Sequence, residues 1–248
     1  MDFNFSLLDE AKRAGLHTTS VVKQQLQIKN AAQADLMKAL DELAVTIDSN
    51  ADRIIQLKKT LNDDIVEDKK TLIVDAIAKY ESLSDLTKRI SEIYVMLLDI
   101  YTYGTYCMLA KDEWDWRAFA RHIYTLFCEH PKSVNTHLNI IIKTLQTHLS
   151  ERYDFCNLVE AKKDFSQFIN DNYETAKEIR IKADAHFDTI FTERLKLIQN
   201  LSYSAVIELY TQYISKMHAF LRNLKPALEH LRSYTDVSYH ILMTGAKH

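Results

Sequence analysis

"LMKALDELAVTIDSNADRIIQLKKTL", residues 36 to 61, decides the fold. Leu36, Leu40, Leu43, Ile47, Ile54, Leu57 and Leu61 recur at spacings of four and three, and Asn50 fills the one vacant place in the series. Side chains at that spacing line one stripe of an α-helix, and such a stripe is buried by packing on another helix. Upstream the pattern weakens, because Lys29 and Gln33 occupy the same stripe after Val22 and Leu26. The segment "DSNAD" (48 to 52) is rich in turn formers and could fold the stretch into a hairpin. The spacing therefore predicts two packed helices of a bundle, with an extended coiled-coil arm as the alternative.

Working outward, the rest of the chain follows the same logic. Three Gly and two Pro in 248 residues are far too few for the turns of a sandwich or barrel, while 47% hydrophobic residues supply a sizeable core. The expected fold class is all-α, a multi-helix bundle. Residues 1–65 form an N-terminal helical arm or hairpin, and the charged stretch "NDDIVEDKK" (62 to 70) separates it from a bundle over 66–248. A short first helix ends near Gly15, and Thr18, Thr19 and Ser20 cap the next. Downstream the expected helices are 67–82, 84–110, 113–129, 133–149, 157–185 and 202–234, the last interrupted at Pro226. Ser84 with Asp85 opens one of them, Pro131 stops another before Ser133 caps its successor, and "SYSAV" (202 to 206) caps the last.

Charge and cysteine usage exclude several functions. A net charge of -3, from 31 basic and 34 acidic residues, gives no global attraction to a duplex, so double-stranded DNA is not an expected partner. Cys107, Cys128 and Cys156 are odd in number and lack a CxxC pair, which suits a reducing cytoplasm better than a disulfide framework or a zinc site. The N-terminus has no positive start and no long apolar run, so it does not read as a signal peptide. "IYVMLLDIYTYGTYCMLA" (93 to 110) nears spanning length, yet Asp99 and the Tyr and Thr that follow make it a buried helix, and no membrane association is expected. In that helix Tyr101, Tyr103 and Tyr106 read as core, and Asp99 needs a partner such as Arg180 or Arg117. No phosphate-cradling glycine loop, HExxH or GxSxG occurs, and no two His stand four apart. Neither a metal nor a cofactor is implied.

Two segments combine arginine with histidine. In "DEWDWRAFARHIYTLFCEHPKS" (112 to 133), Glu113, Arg117 and Arg121 form a ladder at helical spacing, and Phe119, Ile123, Leu126 and Phe127 form an apolar stripe. Trp114 and Trp116 could stack on a base, and His122 with His130 could join Arg117 and Arg121 in a basic cleft. The second segment, "NYETAKEIRIKADAHFDTIF" (172 to 191), sets Arg180 six residues before His186.

This second segment resembles the signature of the HEPN (higher eukaryotes and prokaryotes nucleotide-binding) superfamily, often RNxxxAH followed by an acidic residue two places on. Arg180, Ala185, His186 and Asp188 match that wording, and Ile181 stands where the customary Asn would be. The resemblance implies a helical bundle that often dimerises and, in many members, a metal-independent ribonuclease of toxin–antitoxin or antiphage systems. In that case His186 acts as base or acid on RNA, and Arg180 stabilises the phosphorane-like charge. Arg117, Arg121, His122 and Asp99 are the secondary candidates. The alternative is a non-catalytic interaction protein, an immunity, antitoxin or partner-binding module, whose heptad region recruits another protein.

Overall fold

A computed structural model describes residues 20–62, 66–110, 112–149, 153–181 and 191–244. Among these the chain is all-α, with six helices packed on one another. They are α1 (Ser20–Leu61), α2 (Glu67–Leu109), α3 (Glu113–Leu149), α4 (Cys156–Arg180), the short α5 (Phe191–Gln199) and α6 (Tyr203–Thr244).

The stripe on α1 packs as its spacing requires. Leu36 and Leu57 are buried against α2, with Leu43, Ile54 and Leu61 partly buried beside them. The expected turn at residues 48–52 does not form: α1 is one continuous helix that lies along α2. A local turn preference is worth less than an unbroken apolar stripe with a partner along its length. Asn50 sits inside that seam, 3% exposed, and its Nδ2 has no hydrogen-bond partner.

Three further interior breaks are absent. The helix α2 runs through Ser84, α3 through Pro131, and α6 through Pro226 to Thr244. Proline removes one helical N–H and crowds the carbonyl four residues back. Here the buried residues Val134 and Leu138 beyond Pro131, and Ala227 and Leu231 beyond Pro226, keep each helix on its neighbours. Two of the true starts, those of α3 and α6, are capped by side chains. Asp112 Oδ1 accepts from the backbone N–H groups of Trp114 (2.8 Å) and Asp115 (2.9 Å), and Ser202 Oγ accepts from that of Ala205 (3.2 Å).

Side-chain pairs fix the helix directions. Arg53 meets Tyr80 while Gln33 meets Thr102, so α1 and α2 are antiparallel. Glu92 meets His137 while Tyr103 stacks on His122, so α2 and α3 are antiparallel as well. The last helix lies on α2, α3 and α4 together. Against α2 it is antiparallel, since Tyr101 meets His218 and Lys79 lies over the ring of Tyr234. Gly104 permits a close approach of these two helices: a Cβ there would stand 2.2 Å from Cε2 of Tyr210.

The first and last long helices touch near their C-terminal ends. Arg53 pairs with Asp236, Gln56 accepts from the hydroxyl of Tyr239, and Thr60 reaches Met243, each pair 183 residues apart. A constant offset means α1 and α6 run parallel there. Tyr80 of α2 completes the knot, donating to Asp236 Oδ1 at 2.9 Å and accepting from Arg53 at 3.2 Å. Burial, foremost, and the Asp236 carboxylate push its phenol far above the usual range.

Candidate functional site

Arg180 closes α4, and its Nη2 donates to Glu129 Oε1 of α3 at 2.8 Å. The two side chains are 37% and 52% exposed, so the ion pair orients the guanidinium more than it stabilises the fold. Glu129 thus neutralises the charge that a phosphate would need. Beside it the Cys128 thiol is pushed up by burial, which the field of Arg180 partly opposes. His186, Asp188 and Ala185 lie outside the described residues.

The secondary candidates divide between different seams. Arg117 donates to Glu113 Oε2 at 2.6 Å, as its spacing predicts, and through Nη2 to the carbonyl of Gln199 at 3.0 Å. It thereby binds the last turn of α5, where unpaired carbonyls attract a cation. Arg121 is half-buried one turn further on. His122 is exposed and stacks on Tyr103 of α2, centroids 5.0 Å apart. Asp99 proves to be exposed and forms no ion pair with Arg180 or Arg117, whose guanidinium groups are engaged elsewhere. A carboxylate in water needs no partner. Its field does reach His130, whose imidazole is held below the ordinary range by burial against the opposing pull of Asp99 and Glu129. Of the three tyrosines expected in the core, only Tyr101 is fully buried, while Tyr106 is 49% exposed. Trp116 is buried edge-on to Tyr203, and Trp114 is 55% exposed.

A serine, a histidine and a glutamate do meet between α2 and α3. His137 Nε2 lies 2.9 Å from Glu92 and 3.1 Å from Ser133 Oγ, and Arg89 Nη1 stands 3.4 Å from Nδ1. Nucleophilic catalysis needs serine on one ring nitrogen and acid on the other. Here both share Nε2, and the arginine occupies the side where an orienting carboxylate belongs. The cluster is a polar tie between helices. Among the described residues no three His, Cys, Asp or Glu groups converge as a metal site.

The described residues also leave an open concavity elsewhere. Above the knot at Arg53 and Asp236, α1 and α6 separate over α2 and leave an open cleft of about 470 Å³. Its walls are apolar, from Leu36 and Leu43 of α1, Leu83 and Ile90 of α2, and Leu221 and Leu224 of α6. Its rim on α6 carries His218, Arg222, Lys225, Glu229 and Arg232 at spacings of 4, 3, 4 and 3, with Glu42 opposite on α1. Arg222 forms no ion pair among the described residues, whereas Lys225 stands 3.9 Å from Glu229 and Arg232 3.9 Å from Asp236. His218 Nε2 is 2.8 Å from the Tyr101 hydroxyl. Burial pushes that phenol up to about 12. Burial and the neighbouring Arg222 hold the imidazole below its usual range, so it is uncharged at neutral pH.

The sequence alone did not single out this cleft. Its one legible signal was the charged stripe on α6, which on an isolated helix reads as a solvated face. Comparison of the chain with protein-family models, with curated proteins and with solved structures finds no match.

Proposed function

We propose that the chain is a non-catalytic helical binding module whose recognition surface is the cleft between α1, α2 and α6. One contrast carries this reading. The guanidinium of Arg180 is spent on Glu129, whereas Arg222 overlooks an apolar cleft of about 470 Å³ with no ionic partner among the described residues. A volume of that size falls within the range of pockets that bury small ligands. The heptad stripe on α1 packs on α2, and two of its members, Leu36 and Leu43, also face the cleft. Cys107, Cys128 and Cys156 form no disulfide among the described residues, which suits a reducing compartment such as the cytoplasm. No helix among the described residues is long and apolar enough to cross a membrane.

The test is to incubate the purified chain with single-stranded and structured RNAs in EDTA. Intact RNA is the expected result. Cleavage that His186→Ala abolishes would replace this reading with the second one, a HEPN-like, metal-independent ribonuclease of a toxin–antitoxin or antiphage system, acting as a homodimer. What favours the second is the position of Arg180, partly exposed at the end of α4 and leading directly into the segment that carries His186. In it Glu129 must give way to the scissile phosphate.

A further inference from the structure

We propose that the cleft between α1, α2 and α6 binds a free single-chain amphipathic carboxylate, its tail among Leu36, Leu43, Ile90 and Leu224 and its head on Arg222. This inference rests on the binding-module reading and names the ligand that the cleft selects.

Size comes first. A cleft of about 470 Å³ lies within the range of pockets that bury small ligands, and a twelve-carbon carboxylate is of that class. Chemistry decides next. The floor offers leucine and isoleucine from three helices, so the tail gains by leaving water.

Charge then sets the orientation and the sign. On the α6 rim Arg222, Lys225 and Arg232 outnumber Glu229, and Glu42 on α1 is the remaining acid. Lys225 and Arg232 each have a carboxylate nearby, which leaves the Arg222 guanidinium to form a forked pair with an incoming carboxylate. His218, one turn before Arg222, is uncharged and adds no competing charge.

The experiment is calorimetric titration of the full chain with dodecanoate, below its micelle concentration, and with dodecyltrimethylammonium as a cation of the same tail length. Saturable 1:1 binding of dodecanoate is expected, with binding of the cation at least tenfold weaker. Arg222→Ala, at an exposed position where folding is unaffected, should weaken dodecanoate at least tenfold. Leu43→Gln, in the floor, should weaken both amphiphiles. The absence of dodecanoate binding, equal binding of the two amphiphiles, or an unchanged affinity in Arg222→Ala would each overturn the proposal. Sedimentation with phosphatidylglycerol vesicles in place of dodecanoate binding would overturn it too, making the ligand a membrane surface. These outcomes are independent of the RNA assay: failure here removes the ligand, and cleavage there removes the binding-module reading.

Discussion

Replacing Gly104 by alanine should destabilise this protein, although alanine is the better helix former. In a helix interior Gly→Ala ordinarily gains about 1 kcal/mol. At Gly104 the new methyl would lie 2.2, 2.4 and 2.7 Å from three ring carbons of Tyr210, where contact needs about 3.5 to 4.0 Å. Relief requires Tyr210 or α6 to retreat by more than an ångström. Tyr210 is 1% exposed and packs edge-on against Tyr101, centroids 6.3 Å apart, so the ring has nowhere open to move. Overpacking of this kind costs about 3 kcal/mol at the upper end of its usual range. Set against the propensity gain, the net loss is about 2 kcal/mol, or a fall in Tm of roughly 4 to 8 °C for a chain of this length. Urea unfolding followed by far-ultraviolet circular dichroism measures it. The double variant Gly104→Ala with Tyr210→Leu should recover at least about 1 kcal/mol relative to the sum of the single changes. A stabilised Gly104→Ala protein would refute the close approach of α2 and α6 at this point.

Two further outcomes follow from buried polar groups. Asn50→Leu should stabilise the fold by about 1 to 2 kcal/mol, since Asn50 is 3% exposed with Nδ2 unpaired and leucine completes the α1 stripe; a lower urea midpoint would show that the amide is satisfied. Burial also holds His130, His148 and His218 below the ordinary imidazole value of 6.5. As pH falls through that value the unfolded chain takes up protons that the folded chain refuses, so stability should drop from about pH 6.5 downward. Unfolding midpoints at pH 7.5 and 5.5 measure the drop, and His130→Asn with His218→Asn should shrink it; an unchanged slope would contradict the lowered proton affinity of these half-buried rings.

How much of this was legible in the sequence depends on the range of the interaction. The fold class followed from the 4 and 3 spacing between Leu36 and Leu61 and from the scarcity of Gly and Pro, because both act within one helix. Several boundaries were legible for the same reason, as at Ser202, whose hydroxyl reaches only three residues ahead. The interior breaks expected at residues 48–52, Ser84, Pro131 and Pro226 were local signals too, and burial of the flanking turns overrides each of them. The site was least legible. Arg180 is answered by Glu129, 51 positions away, and the cleft draws its walls from three segments between Leu36 and Arg232. Nothing in the spacing along one helix reports which face another helix will cover.

The parallel clasp between α1 and α6 has a consequence for how the chain matures. Arg53 and Asp236 are separated by 183 positions. At a ribosomal rate of roughly 5 to 20 residues per second, the arginine waits about 10 to 40 s for its aspartate to be synthesised. During that interval α1 can zip onto α2 as a nascent hairpin, but one wall of the cleft does not yet exist. The cleft therefore closes on its third side only after α6 has been made.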